Sequence, residues 1–253
     1  MNNPMPSLSI ITACYNAEEF IEPTLSSIDQ QICSDFEHII IDGNSTDSTL
    51  SIISNHKAPY RTVTSAPDDG VYDAMNKGFK MAQGEYVLFL NAGDELADSS
   101  TLDKIFSTKV DADIIYGETL IMNQNREVLG TRTELTSRRL PKHLCKNDFL
   151  NGQVVSHQSF IAKKSLCNEY DLKYSCSSDI NWMLEIISRT SSIKNTNLAI
   201  SKYLQGGISD RQLATCWKER FSILCKHFSI PLVIWQHLKF ALRFLKMGAY
   251  RKS

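Results

Sequence analysis

The chain has 253 residues, a formal net charge of −1, 42% hydrophobic and 22% charged residues. That balance is ordinary for one large globular domain, or a domain and a tail, with a real core, and it argues against general nucleic-acid binding. The charge is uneven: from Trp217 onward Lys218, Arg220, Lys226, Lys239, Arg243, Lys246, Arg251 and Lys252 stand against Glu219, a net of +7, so the remainder carries about −8 (−1 minus +7). An acidic body with a basic tail points to an anionic surface as the tail's partner.

Seven cysteines, an odd number with no C-x-x-C pair, lead us to expect reduced, mostly buried thiols in a cytosolic protein. The segment Met1–Ser7 lacks the layout of a signal peptide, and no uncharged apolar run is long enough to span a bilayer.

Taken in order, Leu8–Ala13 reads as a first strand, followed by a turn at Cys14-Tyr15-Asn16. Asn16 with Glu19 predicts a capping box opening a helix whose apolar face is Phe20, Ile21, Leu25 and Ile28. His38–Ile41 is a second strand ending at Asp42, and Gly43–Asp47 turns into a helix running to about Asn55. A third strand spans Tyr60–Thr64. The acidic turn Asp68-Asp69-Gly70 precedes a helix from Val71 to Gln83, stopped by Gly84. Tyr86–Leu90 has the length and composition of a buried strand and ends in Asn91-Ala92-Gly93-Asp94. A helix at Thr101–Phe106 and a strand at Asp113–Tyr116 follow. This alternation predicts a mainly parallel sheet with helices on both faces.

From Gly117 to Gly152 the pattern weakens to a hairpin at Asn123–Arg126 and a loop from Arg138 to Asn151. Val154–Phe160 reads as another strand. A helix starts near Ser178-Asp179 and buries Ile180, Met183, Leu184 and Ile187 on one face. In the tail, Ile234, Trp235, Leu238, Ala241, Leu242 and Leu245 share a helical face beside the basic stripe Lys239, Arg243, Lys246, with Pro231 suited to the helix start. Such a helix packs on the body or lies in an anionic membrane face; the aromatic-beside-basic pattern favours the membrane.

In open α/β sheets ligands bind beyond the carboxyl ends of the strands. A carboxylate there, as at Asp94, is placed to hold a hard divalent cation that neutralises a diphosphate. Ala13-Cys14-Tyr15-Asn16-Ala17 stands where a dinucleotide-binding protein has G-x-G-x-x-G, and G-x-x-x-x-G-K-[ST] is absent, so nicotinamide and phosphate-loop chemistries are disfavoured.

Four segments occur in order, each at a strand end: Ser9–Asn16, Ile41–Asp47, Asp69–Gly78 and Phe89–Asp94. Together they resemble family 2 glycosyltransferases of the GT-A fold, above all the bacterial enzymes of exopolysaccharide, O-antigen and colanic-acid assembly. The resemblance covers roughly Ser7 to Ser209. It implies a Rossmann-like α/β domain over 1–210, with a nucleotide-sugar half to about 115 and an acceptor half from 116, then a helical tail over 211–253. It implies inverting transfer from a nucleotide-diphosphate sugar, with Mg²⁺ or Mn²⁺, to a lipid-linked saccharide at the inner face of the cytoplasmic membrane, and no nucleic-acid partner.

Carried over by position, Thr12, Ala13 and Tyr15 line the nucleotide, Asp42 meets the base, and Asp69, rather than Asp68, sits by the ribose and diphosphate. Asn91 and Asp94 occupy the metal motif, and Asp179 stands at the place of the catalytic base, its helix-start position favouring ionisation. His157 is either a satisfied histidine or an acceptor or phosphate contact; Arg211 either steadies the diphosphate or is a surface charge. Many relatives read Asp-x-Asp-Asp where this chain reads Asn91-Ala92-Gly93-Asp94, which leaves Asp94 as the one sure acidic ligand and metal independence open. The alternative is a non-catalytic nucleotide-sugar-binding or scaffold protein.

Overall fold

The computed structural model describes residues 5–107, 111–206 and 212–239. β1 (Leu8–Cys14) and β2 (Phe36–Asp42) carry apolar, β-branched runs and are buried almost throughout, as parallel strands covered on both faces are. β4 (Tyr86–Phe89) pairs with β1, and β3 (Arg61–Ser65) closes the edge, all in parallel.

The second half departs from a mainly parallel sheet. β8 (Phe160–Lys163) runs antiparallel to both β4 and β6 (Ile114–Met122). β9 (Ile193–Leu204) is parallel to β6, and β5 (Glu95–Leu96) is antiparallel to β9. β7 (Val128–Thr131) forms the expected hairpin with β6. The sheet order is β3-β2-β1-β4-β8-β6-β9-β5, with β7 beside β6. It is therefore a mixed sheet.

Helices cover both faces. α1 (Ile21–Asp29), α2 (Thr49–Asn55) and α4 (Thr101–Phe106) cover one. α3 (Val71–Met81), α6 (Ser178–Ile187) and α7 (Leu213–His227) cover the other. Gly78 lets α3 approach: a Cβ there would lie 2.5 Å from Ile11 Cγ2. α7 buries Ile223 and Leu224 in the core that α6 builds, so a boundary at 210 falls ahead of a helix belonging to that core.

A chain of side chains crosses four strands. Arg61 Nε on β3 donates to His38 Nδ1 on β2 at 3.0 Å. His38 Nε2 lies 2.9 Å from Thr12 Oγ1 on β1, and Thr12 donates to Leu90 O, just past β4, at 2.7 Å. With Nδ1 accepting, Nε2 holds the proton. Burial, aided by the Arg61 charge, pushes His38 down to about 3 and keeps the ring neutral.

Several sequence readings are corrected. Val154–Phe160 is not a strand: residues His157–Ser159 form a 3-10 turn and the strand starts at Phe160. Ser159 N closes on Ser156 O in a local turn, and Ser159 Oγ donates across to Glu118 O on β6, so these bonds stand where strand pairing was expected. Asn16 does not cap a helix. It adopts φ +44°, and its Oδ1 accepts from Thr46 N at 2.9 Å, tying two loops together; α1 begins at Ile21. Cys176 and Cys216 are paired as a disulfide, Cα–Cα 5.6 Å, rather than reduced; a partner 40 residues away leaves no local signal.

The core beneath α6 centres on Trp182, 1% exposed, stacked on Tyr170 at 5.2 Å and edge-on to Phe89 and Phe160. Its Nε1 donates to Asn168 O. We expect Trp182→Ala to lower stability by about 3–5 kcal/mol in urea titration. A loss under about 1 kcal/mol would show that the cluster does not anchor α6.

Candidate active site

The carboxyl ends of β1, β2 and β4 bring the first group of residues together. Asp42, fully buried, accepts from Ser45 N at 3.0 Å, Ser65 Oγ at 2.6 Å and Ser45 Oγ. These bonds fix the carboxylate where β2 ends. Asp68 packs over Gly43, where a Cβ would lie 2.5 Å from its Oδ2, and it accepts from Gly70 N. Asp69 is exposed, with its N–H donated to Asp73. Tyr15 is 62% exposed, a ring free to stack on a flat ligand. Ala13 N donates to Asn91 Oδ1 at 3.3 Å, joining the first turn to the fourth. Thr12 is fully buried, its hydroxyl committed to His38 and Leu90, so it shapes this edge from within the sheet.

Asp94 follows Gly93, whose φ of +103° turns the chain inward. Its carboxyl is 7% exposed and accepts from Gln158 Nε2 at 3.3 Å. Burial pushes it up to about 7, although the His157 charge, the Gln158 amide and the Leu204 backbone pull the other way. Among the described residues no three His, Cys, Asp or Glu side chains cluster as a metal cage. A buried carboxylate this short of positive charge nonetheless fits one divalent cation completed by phosphate and water oxygens. Asn91 Oδ1, already bonded to Ala13 N, is less free to join it.

Asp179, in the first turn of α6 and 7% exposed, shares His157 with Asp94, both carboxylates acting on that ring. Oδ1 accepts from Tyr72 OH at 3.2 Å and Oδ2 from Gln153 Nε2 at 2.9 Å. His157 Nδ1 stands 3.6 Å from Oδ2, a charge contact longer than a hydrogen bond. Burial opposes ionisation, but His157, Arg220 and the Ile180 N–H outweigh it and hold the carboxyl below its usual range. The helix start contributes, as expected, through one backbone N–H; His157 is the stronger cause. For His157, burial disfavours the charge, while Asp179 first and Asp94 second raise its pKa above the usual value. Its Nε2 is buried without a partner. Tyr72 is raised well above 10 by burial and then by Asp179, so it remains a donor.

Sequence reasoning brought Asp94, His157 and Asp179 into one site but not Tyr72, Gln153 or Gln158. Tyr72 belonged to the Asp69–Gly78 segment without a role, and Gln153 lies where patterning was weakest. Arg211 lies outside the described residues.

A family model for glycosyl transferase family 2 matches residues 9–170. The chain belongs to that family. It is 29% identical over 217 residues to a PGL/p-HBAD biosynthesis glycosyltransferase of Mycobacterium bovis, covering 81% of this chain and 80% of the other. It is 28% identical over 169 residues to a GalNAc(5)-diNAcBac-PP-undecaprenol beta-1,3-glucosyltransferase of Campylobacter jejuni, covering 64% and 53%. The fold matches S. aureus TarS 1-349 in complex with UDP, with TM-score 0.69, 17% identity and coverage of 95% of this chain and 72% of that one. It also matches the mannosyltransferase PcManGT of Pyrobaculum calidifontis in complex with GDP-Man and Mn²⁺, with TM-score 0.67, 14% identity and coverage of 97% and 80%. The architecture is thus that of GT-A glycosyltransferases.

Asp94 has a testable signature. Its folded-state value, about 7, lies above the unfolded 3.8, so the folded chain keeps a proton that the unfolded chain has lost between those values. Stability therefore falls as pH rises from about 4 to 7, with a slope approaching ~1.4 kcal/mol per pH unit from this group. In metal-free buffer Asp94→Asn should remove that contribution. Parallel Tm–pH curves for the two proteins would show that Asp94 is not desolvated.

Proposed function

We propose that the chain is an inverting glycosyltransferase moving a hexosyl-type sugar from a nucleotide-diphosphate donor to a saccharide acceptor, lipid-linked, in surface polysaccharide or glycolipid assembly. The observation that carries this reading is Asp179: a buried carboxylate kept ionised, fixed by Tyr72 and Gln153, and linked through His157 to Asp94 at the strand end.

In this reading Tyr15, Ala13 and Asp42 receive the nucleotide, with Asp69 at its ribose and diphosphate. Asp94 holds Mg²⁺ or Mn²⁺, which when bound offsets the charge of the diphosphate. Asp179 takes the proton of the acceptor hydroxyl as its oxygen attacks the anomeric carbon. The bond from that carbon to the diphosphate breaks on the opposite face, so the configuration inverts and no covalent enzyme intermediate forms. His157 keeps Asp179 ionised, and its Nε2 stays available to the reacting groups. The name of one relative, a GalNAc(5)-diNAcBac-PP-undecaprenol beta-1,3-glucosyltransferase, supports the lipid-linked acceptor.

Asp179→Asn should lower kcat by about 10²–10⁴-fold while the Kd for a nucleoside diphosphate, measured calorimetrically with Mn²⁺, stays within about twofold. Near-normal turnover would remove Asp179 as the base. Donor binding without turnover in the parent chain would favour the non-catalytic alternative.

The membrane half of the proposal rests on the described part of the tail. Leu213, Trp217, Ile230, Ile234, Trp235 and Leu238 are 46–61% exposed, and Lys239 Nζ lies 5.3 Å from the Trp235 ring. No helix among the described residues is long and apolar enough to cross a membrane. Surface binding at the cytoplasmic leaflet fits such a patch. We expect co-sedimentation with vesicles containing anionic lipid, weakened several-fold in Trp217→Ser/Trp235→Ser. Equal behaviour with neutral and anionic vesicles would leave the patch as packing surface only.

A further inference from the structure

Three arginines gather beside Asp179, none of them ion-paired with a carboxylate among the described residues. Arg132 comes from α5 (Arg132–Leu135), Arg138 from the loop after it, and Arg220 from α7. Two of them meet at Gly152-Gln153. Arg132 Nη2 donates to Gln153 O, and a Cβ on Gly152 would lie 3.0 Å from Arg138 Nε, so that guanidinium lies over the bare glycine. Gln153 in turn donates to Asp179. Arg220 is brought in by a clasp. The neighbouring Glu219 accepts from Ser175 N, Ser175 Oγ and Cys176 N, and the Cys176–Cys216 bridge lies one turn away.

Arginine forms ion pairs among the described residues at Arg61–Asp29 and Arg126–Glu95, and at none of these three positions. Arg220 Nε is buried with no hydrogen-bond partner. The three charges press on one another. Burial first, then Arg138 and Arg220, pull Arg132 down to about 10, against Glu118 and Asp179. Burial and then Arg220 lower Arg138. Half-buried guanidiniums without counter-ions are costly unless an anion joins them, and their fork of donors matches phosphate oxygens.

Building on the transfer reaction proposed above, we infer that Arg132, Arg138 and Arg220 form an acceptor-side anion site, separate from the donor diphosphate at the Asn91–Asp94 turn, that grips the phosphate or diphosphate of the acceptor. That anion is either the headgroup of a lipid-linked saccharide or the phosphate of a soluble sugar phosphate. It neutralises the arginines and delivers the acceptor hydroxyl to the base beside them.

The test is calorimetry on the full chain saturated with its nucleoside diphosphate in excess Mn²⁺, titrated with inorganic pyrophosphate and, separately, with geranyl diphosphate. We expect a second binding event in the parent chain. It should weaken ~10-fold or more in Arg138→Gln and in Arg220→Gln, with part of the affinity restored by lysine at the same position, while the nucleoside diphosphate Kd stays within about twofold. Tighter binding of geranyl diphosphate identifies the lipid source; equal binding identifies the soluble one. The inference is overturned if the parent chain takes no second anion, if the variants bind it unchanged, or if they lose the nucleoside diphosphate in equal measure, which would place the arginines on the donor. Thermal melts confirm folding, and Arg138→Gln, on a surface loop, carries the test if Arg220→Gln does not fold. Failure of the transferase reading shows itself separately, as no nucleoside diphosphate binding and no turnover.

Discussion

A carboxylate enclosed by protein tends to take up a proton, and Asp179 does not because of what faces it. His157 and Arg220 supply positive charge, Tyr72 and Gln153 supply donors, and the α6 backbone adds an N–H. Each comes from a different part of the chain: the start of α3, the turn at Gln153, the 3-10 segment before β8, and α7. The packing around α6 is therefore built inward from one ionised group. Asp94, equally buried but poorer in donors, is pushed the other way. The two carboxylates are thus chemically distinct: Asp179 is held ionised, while Asp94 is pushed towards its protonated form.

The packing behind Asp179 explains why the group stays in place. All of α6 except Glu185 is buried, and Trp182 locks it against Phe89 on β4, the strand that leads to Asp94. Asp179 and the Asn91–Asp94 turn are thereby referenced to the same aromatic cluster. The clasp of Glu219 on the Ser175–Cys176 loop adds a second restraint, from a helix that lies beyond the family match.

What the sequence made legible follows from how local each signal is. The runs at Ser9–Asn16, Ile41–Asp47 and Phe89–Asp94 are strand-then-turn patterns within a few residues, and the structure places them side by side. The bounds of α4 were readable in the sequence, and the buried face of α6 from helical spacing alone. β9 was not, because Ile193–Leu204 mixes Lys, Asn and Ser with its apolar residues and is kinked at Asn197, φ +55°. Its pairing with β6, not its own alternation, makes it a strand. Gln153, Arg138, Arg220 and the Cys176–Cys216 bridge were invisible for a related reason: each acts through a partner distant in sequence, and nothing near it announces that partner.

The hydrogen-bond chain from Arg61 through His38 and Thr12 to Leu90 O has a consequence for substitution. Its middle member works only as a neutral ring with the proton on Nε2, and that tautomer is set by the arginine on one side and read by the threonine on the other. An exchange at any of the three positions that removes its donor or acceptor leaves a buried polar atom without a partner. The three hydrogen-bonding groups are therefore coupled: they are kept together or replaced together by an apolar set, and the turn after β4, held through Leu90 O, depends on them as a unit.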